Sequence, residues 1–230
     1  MFHVEQPGEL ERLLHEGASE IGITIEPVQA QLFLLYLKQL KIWNQSFNLT
    51  AITKDEEVIV KHFIDSLAAL KAVNIGPGSH ILDVGAGAGF PGIPLKIIRT
   101  DLCVTLVEPA HKKSAFLHFI VGLLRLKGVD VFQGTIERFS SIRPAGITYD
   151  YLTTRALNPS LIFQKARYLL NEGGKVIIYS ARPFDRTLLP RDWNFAGDYT
   201  FELPHAYGSR TISTFSYRVD LPPHAVPRGT

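Results

Sequence analysis

The sequence predicts an α/β protein, a mostly parallel sheet flanked by helices and preceded by a helical N-terminal extension. Three observations carry this reading. From residue 80 onward, apolar runs of strand character alternate with helical stretches, a pattern that argues for parallel strands joined by right-handed crossovers. The run His80-Ile81-Leu82-Asp83-Val84 enters a glycine-rich turn that ends at Phe90-Pro91-Gly92, which reads as strand, tight loop and helix start. No strand run precedes Ile81, whereas residues 9–72 carry apolar positions at helical spacing.

In the extension, Leu32, Leu35, Tyr36, Gln39, Leu40 and Trp43 recur near a 3.6-residue period after Pro27, and residues 58–70 form another amphipathic segment. Asn74-Ile75-Gly76-Pro77-Gly78 breaks the helical pattern before the core. The expected order is then strand 80–84, helix 91–98, strand 103–108, helix 111–126, strand 129–133, strand 149–154, helix 158–170 and strand 175–180. Residues 199–203 and 211–219 look like a closing antiparallel hairpin, and the Pro-rich end is expected to be poorly ordered. The implied division is a helical extension over 1–75, a core over 76–220 and a flexible tail over 221–230.

With 230 residues, 46% hydrophobic and 20% charged, the chain is long enough for a three-layer core with one appendage. No apolar run approaches the roughly twenty residues of a membrane span and no basic-then-apolar leader opens the chain, so a soluble, cytoplasmic protein is expected. Cys103 is the only cysteine, which excludes internal disulfides and cysteine-based zinc sites. Its place in an apolar run reads as buried, and no metal is expected. Asn48-Leu49-Thr50 matches a glycosylation sequon, idle without a secretory signal. A formal net charge of +2 permits an RNA partner without requiring one. Local cations gather at His111-Lys112-Lys113 with Arg125 and Lys127, and at Lys38 with Lys41; for any one cluster a solvated helix face is the simpler account.

The glycine loop carries the most chemistry. Gly85, Gly87 and Gly89 let the backbone take positive φ and approach a ligand closely. A dinucleotide fingerprint wants glycine at the sixth position, where this chain has Phe90, so a pyrophosphate is disfavoured. What remains, Asp83-x-Gly85-x-Gly87-x-Gly89, resembles the first motif of class I S-adenosylmethionine-dependent methyltransferases, and that resemblance implies a Rossmann-like, mostly parallel seven-stranded sheet. S-adenosylmethionine carries an α-amino group and a sulfonium, which an acid and loop carbonyls suit better than a phosphate cradle. A second apolar strand ends in Glu108, near the roughly twenty-residue offset of a ribose-binding acid. Both acids also have a local use: Asp83 can cap the turn and Glu108 the following helix.

Further segments make the resemblance specific. Phe47-Asn48-Leu49-Thr50-Ala51-Ile52, Lys61-His62-Phe63-Ile64-Asp65-Ser66, Asp83 through Leu95, Glu108 with Lys112-Lys113 and Phe116-Leu117, and Arg155-Ala156 stand in the order found in the RsmG family, also called GidB. That family methylates guanine N7 in 16S ribosomal RNA of the small subunit, converting S-adenosylmethionine to S-adenosylhomocysteine. The resemblance covers about residues 30–180, with a weaker tail that includes Arg210. It implies cofactor contacts at Asp83, Gly85, Gly87, Gly89, Phe90, Glu108, Ile136, Glu137 and Arg155. It also implies substrate positioning by Asn48, His62, Asp65 and Ser66, RNA contacts at Lys112, Lys113 and Arg210, and the small ribosomal subunit as partner, with a monomer favoured.

Two positions depart from the family pattern: Thr135-Ile136-Glu137 replaces an Arg-Ala-Glu, and Ser180-Ala181 replaces a Lys-Gly, with Arg182 as a substitute cation. Local readings also stand beside the implied roles. His62 and Asp65 can pair on a helix surface, Asn48, Thr50 and Asp55 can cap helices, and Arg155 can pair with Asp150. Phe90 can pack in the core as well as on the cofactor. Guanine N7 offers an in-plane lone pair, so methylation there needs no general base, only alignment and exclusion of water. Its major-groove edge is closed in A-form helices, so the target should lie in a loop or bulge. The competing readings are a class I methyltransferase for a small molecule or protein, a non-catalytic S-adenosylmethionine- or RNA-binding accessory protein, and a nucleotide-binding oxidoreductase.

Overall fold

The computed structural model describes residues 7–142, 146–155 and 158–218. Its strands are β1 (His80–Val84), β2 (Cys103–Glu108), β3 (Val129–Gln133), β4 (Tyr149–Thr154), β5 (Leu170–Ser180), β6 (Trp193–Glu202) and β7 (Ser209–Tyr217). They form one seven-stranded sheet in the order β3-β2-β1-β4-β5-β7-β6. Only β7 runs antiparallel to its neighbours. The strand order reverses between β1 and β4, so a crevice opens outside their carboxyl ends, the place where open α/β sheets hold ligands.

The first four strands fall where the apolar runs predict. β5 begins earlier than expected and β6 begins at Trp193 instead of 199, because Asn194, Gly197 and Asp198 give its first half a turn-like composition. A register shift between Phe195 and Gly197 interrupts its pairing with β7. Val219 and the tail 221–230 lie outside the described residues.

The helical extension comprises α1 (Pro7–Glu20), α2 (Pro27–Phe47) and a broken run over residues 55–72. In α2, Pro27 sits in the first turn and Glu26 exchanges hydrogen bonds with Gln29 in a capping box, which satisfies donors that a helix start leaves open. The helix ends at Asn48, which takes a left-handed conformation (φ 49°, ψ 54°) that asparagine tolerates better than most residues. The broken run is α3 (Asp55–Val58), a π-helical turn Ile59–Ile64, α4 (Asp65–Leu67) and α5 (Ala69–Ala72). The crossovers are α6 (Gly92–Ile98), α7 (His111–Leu123), α8 (Ile136–Ile142) and α9 (Pro159–Leu169). Of these, α8 is too short to show a helical period in the sequence, with only Ile136 and Phe139 buried.

Strand alternation divides the interior. Leu82, Val84, Leu152 and Val176 pack with Phe139, Phe163 and Leu169 on the α8–α9 face. Ile81, Leu106 and Ile177 share the other core with Leu14, Phe33, Tyr36, Phe63 and Leu67 of the extension. Contrary to expectation, Cys103 is half-buried, because it opens β2 at the edge of the core. No helix among the described residues is long and apolar enough to cross a membrane.

Candidate functional site

The loop after β1 is held from three sides. Gly85 and Ala86 donate their amides to the Val107 carbonyl at 2.9 and 3.1 Å. Tyr36, from α2, donates its hydroxyl to the Ala88 carbonyl. Asp83 accepts from the Gly92 amide at 2.8 Å and from the Thr153 hydroxyl at 3.2 Å. Two glycines matter for different reasons. At Gly89 (φ +106°) a Cβ would meet Ile93 Cδ1 at 2.5 Å and the Tyr36 hydroxyl at 2.6 Å, so only glycine fits. At Gly87 (φ +60°) the nearest atom would be the Gly85 carbonyl oxygen at 3.9 Å, so this backbone faces open space.

Glu108, at the end of β2, lies beside that loop. Its carboxylate accepts from Gly87 N at 2.8 Å and from Ala110 N at 2.9 Å. A carboxylate has about four acceptor positions, so two remain for a ligand's hydroxyls. A glycine backbone open to approach beside a carboxylate fits the ribose and the cationic end of S-adenosylmethionine, whereas a pyrophosphate would meet like charge. Asp83 is fully buried and accepts one hydrogen bond on each oxygen from within the protein, and so braces the loop. Burial pushes its carboxyl up to about 7, against the opposing pull of the Gly92 amide, Arg155 and Thr153.

Phe90 ends the loop. Buried in the core, it has Tyr36 on one side at 5.6 Å and the His62 imidazole stacked at 4.4 Å with a 12° interplanar angle. Thr50 Oγ1 and His62 Nε2 are 2.9 Å apart. Burial, with the Arg155 charge adding to it, drives the His62 pKa down to about 3.

The π turn Ile59–Ile64 carries His62 and leads directly into Asp65 and Ser66. Asp65 and Ser66 are buried, and they face Arg155. The Arg155 guanidinium lies 3.1 Å from Asp65 Oδ2 and donates to Ser66 Oγ at 2.6 Å and to the carbonyls of Lys61 and His62 at 3.3 and 3.4 Å. Tyr179 adds its ring, 5.0 Å from the guanidinium, and donates its hydroxyl to the Ser66 carbonyl at 2.8 Å. Arg155 is thus tied to the segment that carries His62. It follows Thr153 by two residues, so it projects to the same face as Asp83 and meets the extension there. Ser66 has no exposed surface and Asp65 keeps 5%, so both are engaged mainly with Arg155. Burial raises the Asp65 pKa, while Arg155 and Arg210 oppose the rise.

The remaining expected residues line the rim. Asn48 is exposed, and with Asn44, Thr50, Lys41 and Lys54 it lines a groove of about 940 Å³. Glu137 is exposed in the first turn of α8 and Ile136 is buried beside it. A hydrogen bond with Thr135 lowers the Glu137 pKa. The other departure, Ser180, donates to the Arg182 carbonyl and so stays at the end of β5. Lys112 is exposed and Lys113 half-buried at the start of α7. Arg210 is half-buried, donates to the Ser209 carbonyl at 2.9 Å and acts electrostatically on Asp65. Ala156 lies outside the described residues. Sequence reasoning missed Tyr36 and Tyr179. The only signal either gave was a hydroxyl on an otherwise apolar helix face or strand, which implies a buried partner.

With this geometry in hand, the family described as "rRNA small subunit methyltransferase G" matches residues 29–193. The chain is 38% identical over 174 residues to the ribosomal RNA small subunit methyltransferase G of Caldanaerobacter subterraneus subsp. tengcongensis, covering 75% of this chain and 73% of that protein. It is 35% identical over 218 residues to the protein of the same name from Staphylococcus carnosus, covering 91% of each. Solved structures resemble it in fold. MtNAS in complex with MTA and tNA gives a TM-score of 0.57 at 16% identity, over 94% of this chain and 91% of that one. TrmN from Thermus thermophilus gives 0.55 at 14% identity, over 67% and 48%.

Proposed function

Because the chain belongs to the rRNA small subunit methyltransferase G family, we propose that it methylates N7 of a guanine in the 16S RNA of the small ribosomal subunit. The chain has the fold of the class I S-adenosylmethionine-dependent methyltransferases, with the glycine loop at the carboxyl end of β1. One observation carries the reading: Phe90 both closes the glycine loop and forms the surface on which His62 stacks. The cofactor side and the base side of a methyl transfer thus share one ring.

The residues that would hold the cofactor are Gly85, Gly87 and Glu108, with Ile136 and Glu137 at the adenine end. When bound, S-adenosylmethionine supplies an electrophilic methyl on a positively charged sulfur. The chain's own residues supply position. Thr50 and Phe90 fix the His62 ring, which is neutral at physiological pH and so adds no positive charge beside a cationic cofactor. Asn48, at the groove, presents an amide able to pair with a base edge. Arg155, Asp65 and Ser66 act through the turn that carries His62 and are positioning residues. No side chain here needs to remove a proton, since N7 attacks with its lone pair.

The test is incubation with tritiated S-adenosylmethionine and small ribosomal subunits from a strain lacking this gene, followed by nucleoside mass spectrometry. The expected product is 7-methylguanosine from 16S RNA. Label in methylated adenine, cytosine or ribose, or in protein only, overturns the proposal.

A further inference from the structure

Phe47 ends α2 with 39% of its surface exposed, at the position directly before Asn48. Its ring leans on Trp43, 5.5 Å away, and Trp43 in turn packs on Phe116 at 5.5 Å and Phe119 at 5.2 Å. Phe119 is itself 38% exposed. The cover over Phe47 is a cation: Lys112 Nζ lies 5.4 Å from the ring centroid. Among the described residues Lys112 has no carboxylate partner, and its neighbours His111 and Lys113 add no negative charge.

The patch is therefore aromatic and cationic, and the two segments that form it continue along the chain into the two halves of the candidate site. On one side the chain runs from Phe47 through Asn48 to Thr50, which holds His62. On the other, α7 begins after Ala110, whose amide binds Glu108. Resting on the earlier assignment of an RNA substrate, the geometry points to a stacking site for an unpaired nucleotide next to the target guanine. The base lies on Phe47, supported from behind by Trp43, and the displaced Lys112 ammonium takes that nucleotide's phosphate. Aromatic rings stack every base, and a positive charge alongside is how single strands are tracked. Charge complementarity favours RNA here over an apolar protein partner, which would have to bury the Lys112 charge.

The experiment measures turnover by the full chain with S-adenosylmethionine and small ribosomal subunits lacking the modification, and S-adenosylhomocysteine affinity separately. A parallel binding measurement uses a short single-stranded RNA with 2-aminopurine beside a guanine. Phe47→Ala is expected to raise KM for subunits about tenfold and to abolish the fluorescence quench that stacking gives the wild type. Phe47→Trp is expected to restore both, and Lys112→Ala to reduce the salt slope of RNA binding by about one. S-adenosylhomocysteine affinity should stay at the wild-type value in all three. Wild-type KM and quench in Phe47→Ala overturn the inference. So does failure of Phe47→Trp alongside Phe47→Ala, which would mark a shape-specific protein contact, and so does loss of S-adenosylhomocysteine binding, which would mark a structural role. If the wild type itself leaves ribosomal RNA unmethylated, the proposed function falls instead, a result the variants do not mimic.

Discussion

Asp83 and His62 show how burial sets the protonation of single residues. The Asp83 carboxyl, pushed up to about 7 in the folded chain, binds its proton more tightly there than when unfolded, where its pKa is about 3.9. The stability it contributes is complete below about pH 4 and is lost as pH rises through 7, by at most about 4 kcal/mol. In Asp83→Asn the amide keeps an acceptor for Gly92 and can donate to Thr153, so this loss should vanish. Urea unfolding at pH 5 and pH 8 checks it, and a variant with the wild-type pH dependence would remove Asp83 as the source. His62 shifts the other way: with its pKa down to about 3, its contribution is complete above about pH 6.5 and is lost only as pH falls toward 3. As its ring stays neutral in the assay range, wild type and His62→Gln should share the shape of their pH–rate profiles while the variant is slower. A step near pH 6.5 present only in the wild type would make His62 a titrating participant.

At the scale of an element, the π turn Ile59–Ile64 is the part whose loss should cost most. π turns are uncommon and concentrate at functional sites, and this one offers the Lys61 and His62 carbonyls to Arg155. Arg155→Ala would leave Asp65 buried and unpaired, a change of about 3 kcal/mol or more. Arg155→Lys should recover little, since one ammonium cannot span Asp65, Ser66 and two carbonyls. Asp65→Asn added to Arg155→Ala should return part of the stability by removing the stranded charge. Denaturant midpoints measure all three, and hydrogen exchange of residues 59–66 shows whether the turn loosens. An Arg155→Ala chain of wild-type stability would mean that other contacts hold the turn.

For the whole molecule, the extension and one face of the sheet share a core, which makes independent unfolding of α1 and α2 unfavourable. The two tryptophans sit far apart in the architecture, Trp43 in α2 and Trp193 at the start of the edge strand β6. Trp43→Phe and Trp193→Phe each leave a single reporter, and each should show the same midpoint as far-UV circular dichroism on the same variant. Separated midpoints would show that the extension is a unit with its own stability.

The sequence by itself determined the order of strands and crossovers from β1 to β4, the glycine loop, and the strand-end place of Glu108. These are local properties: an apolar run of strand length, glycines where φ must be positive, an acid at a fixed offset. It also determined which segments meet at the site, through motifs that resemble a family. Only the tertiary structure decided which way those residues face. Counting three and four residues puts His62, Asp65 and Ser66 together on one α-helical surface, but in the structure Asp65 and Ser66 are engaged by the half-buried Arg155 while His62 stacks on Phe90. Tyr36, Tyr179 and the Phe47–Lys112 pair were unreadable for the same reason. Each acts on a partner from a distant part of the chain, and such a partner is fixed by how the extension packs on the sheet, which periodicity along the chain does not record.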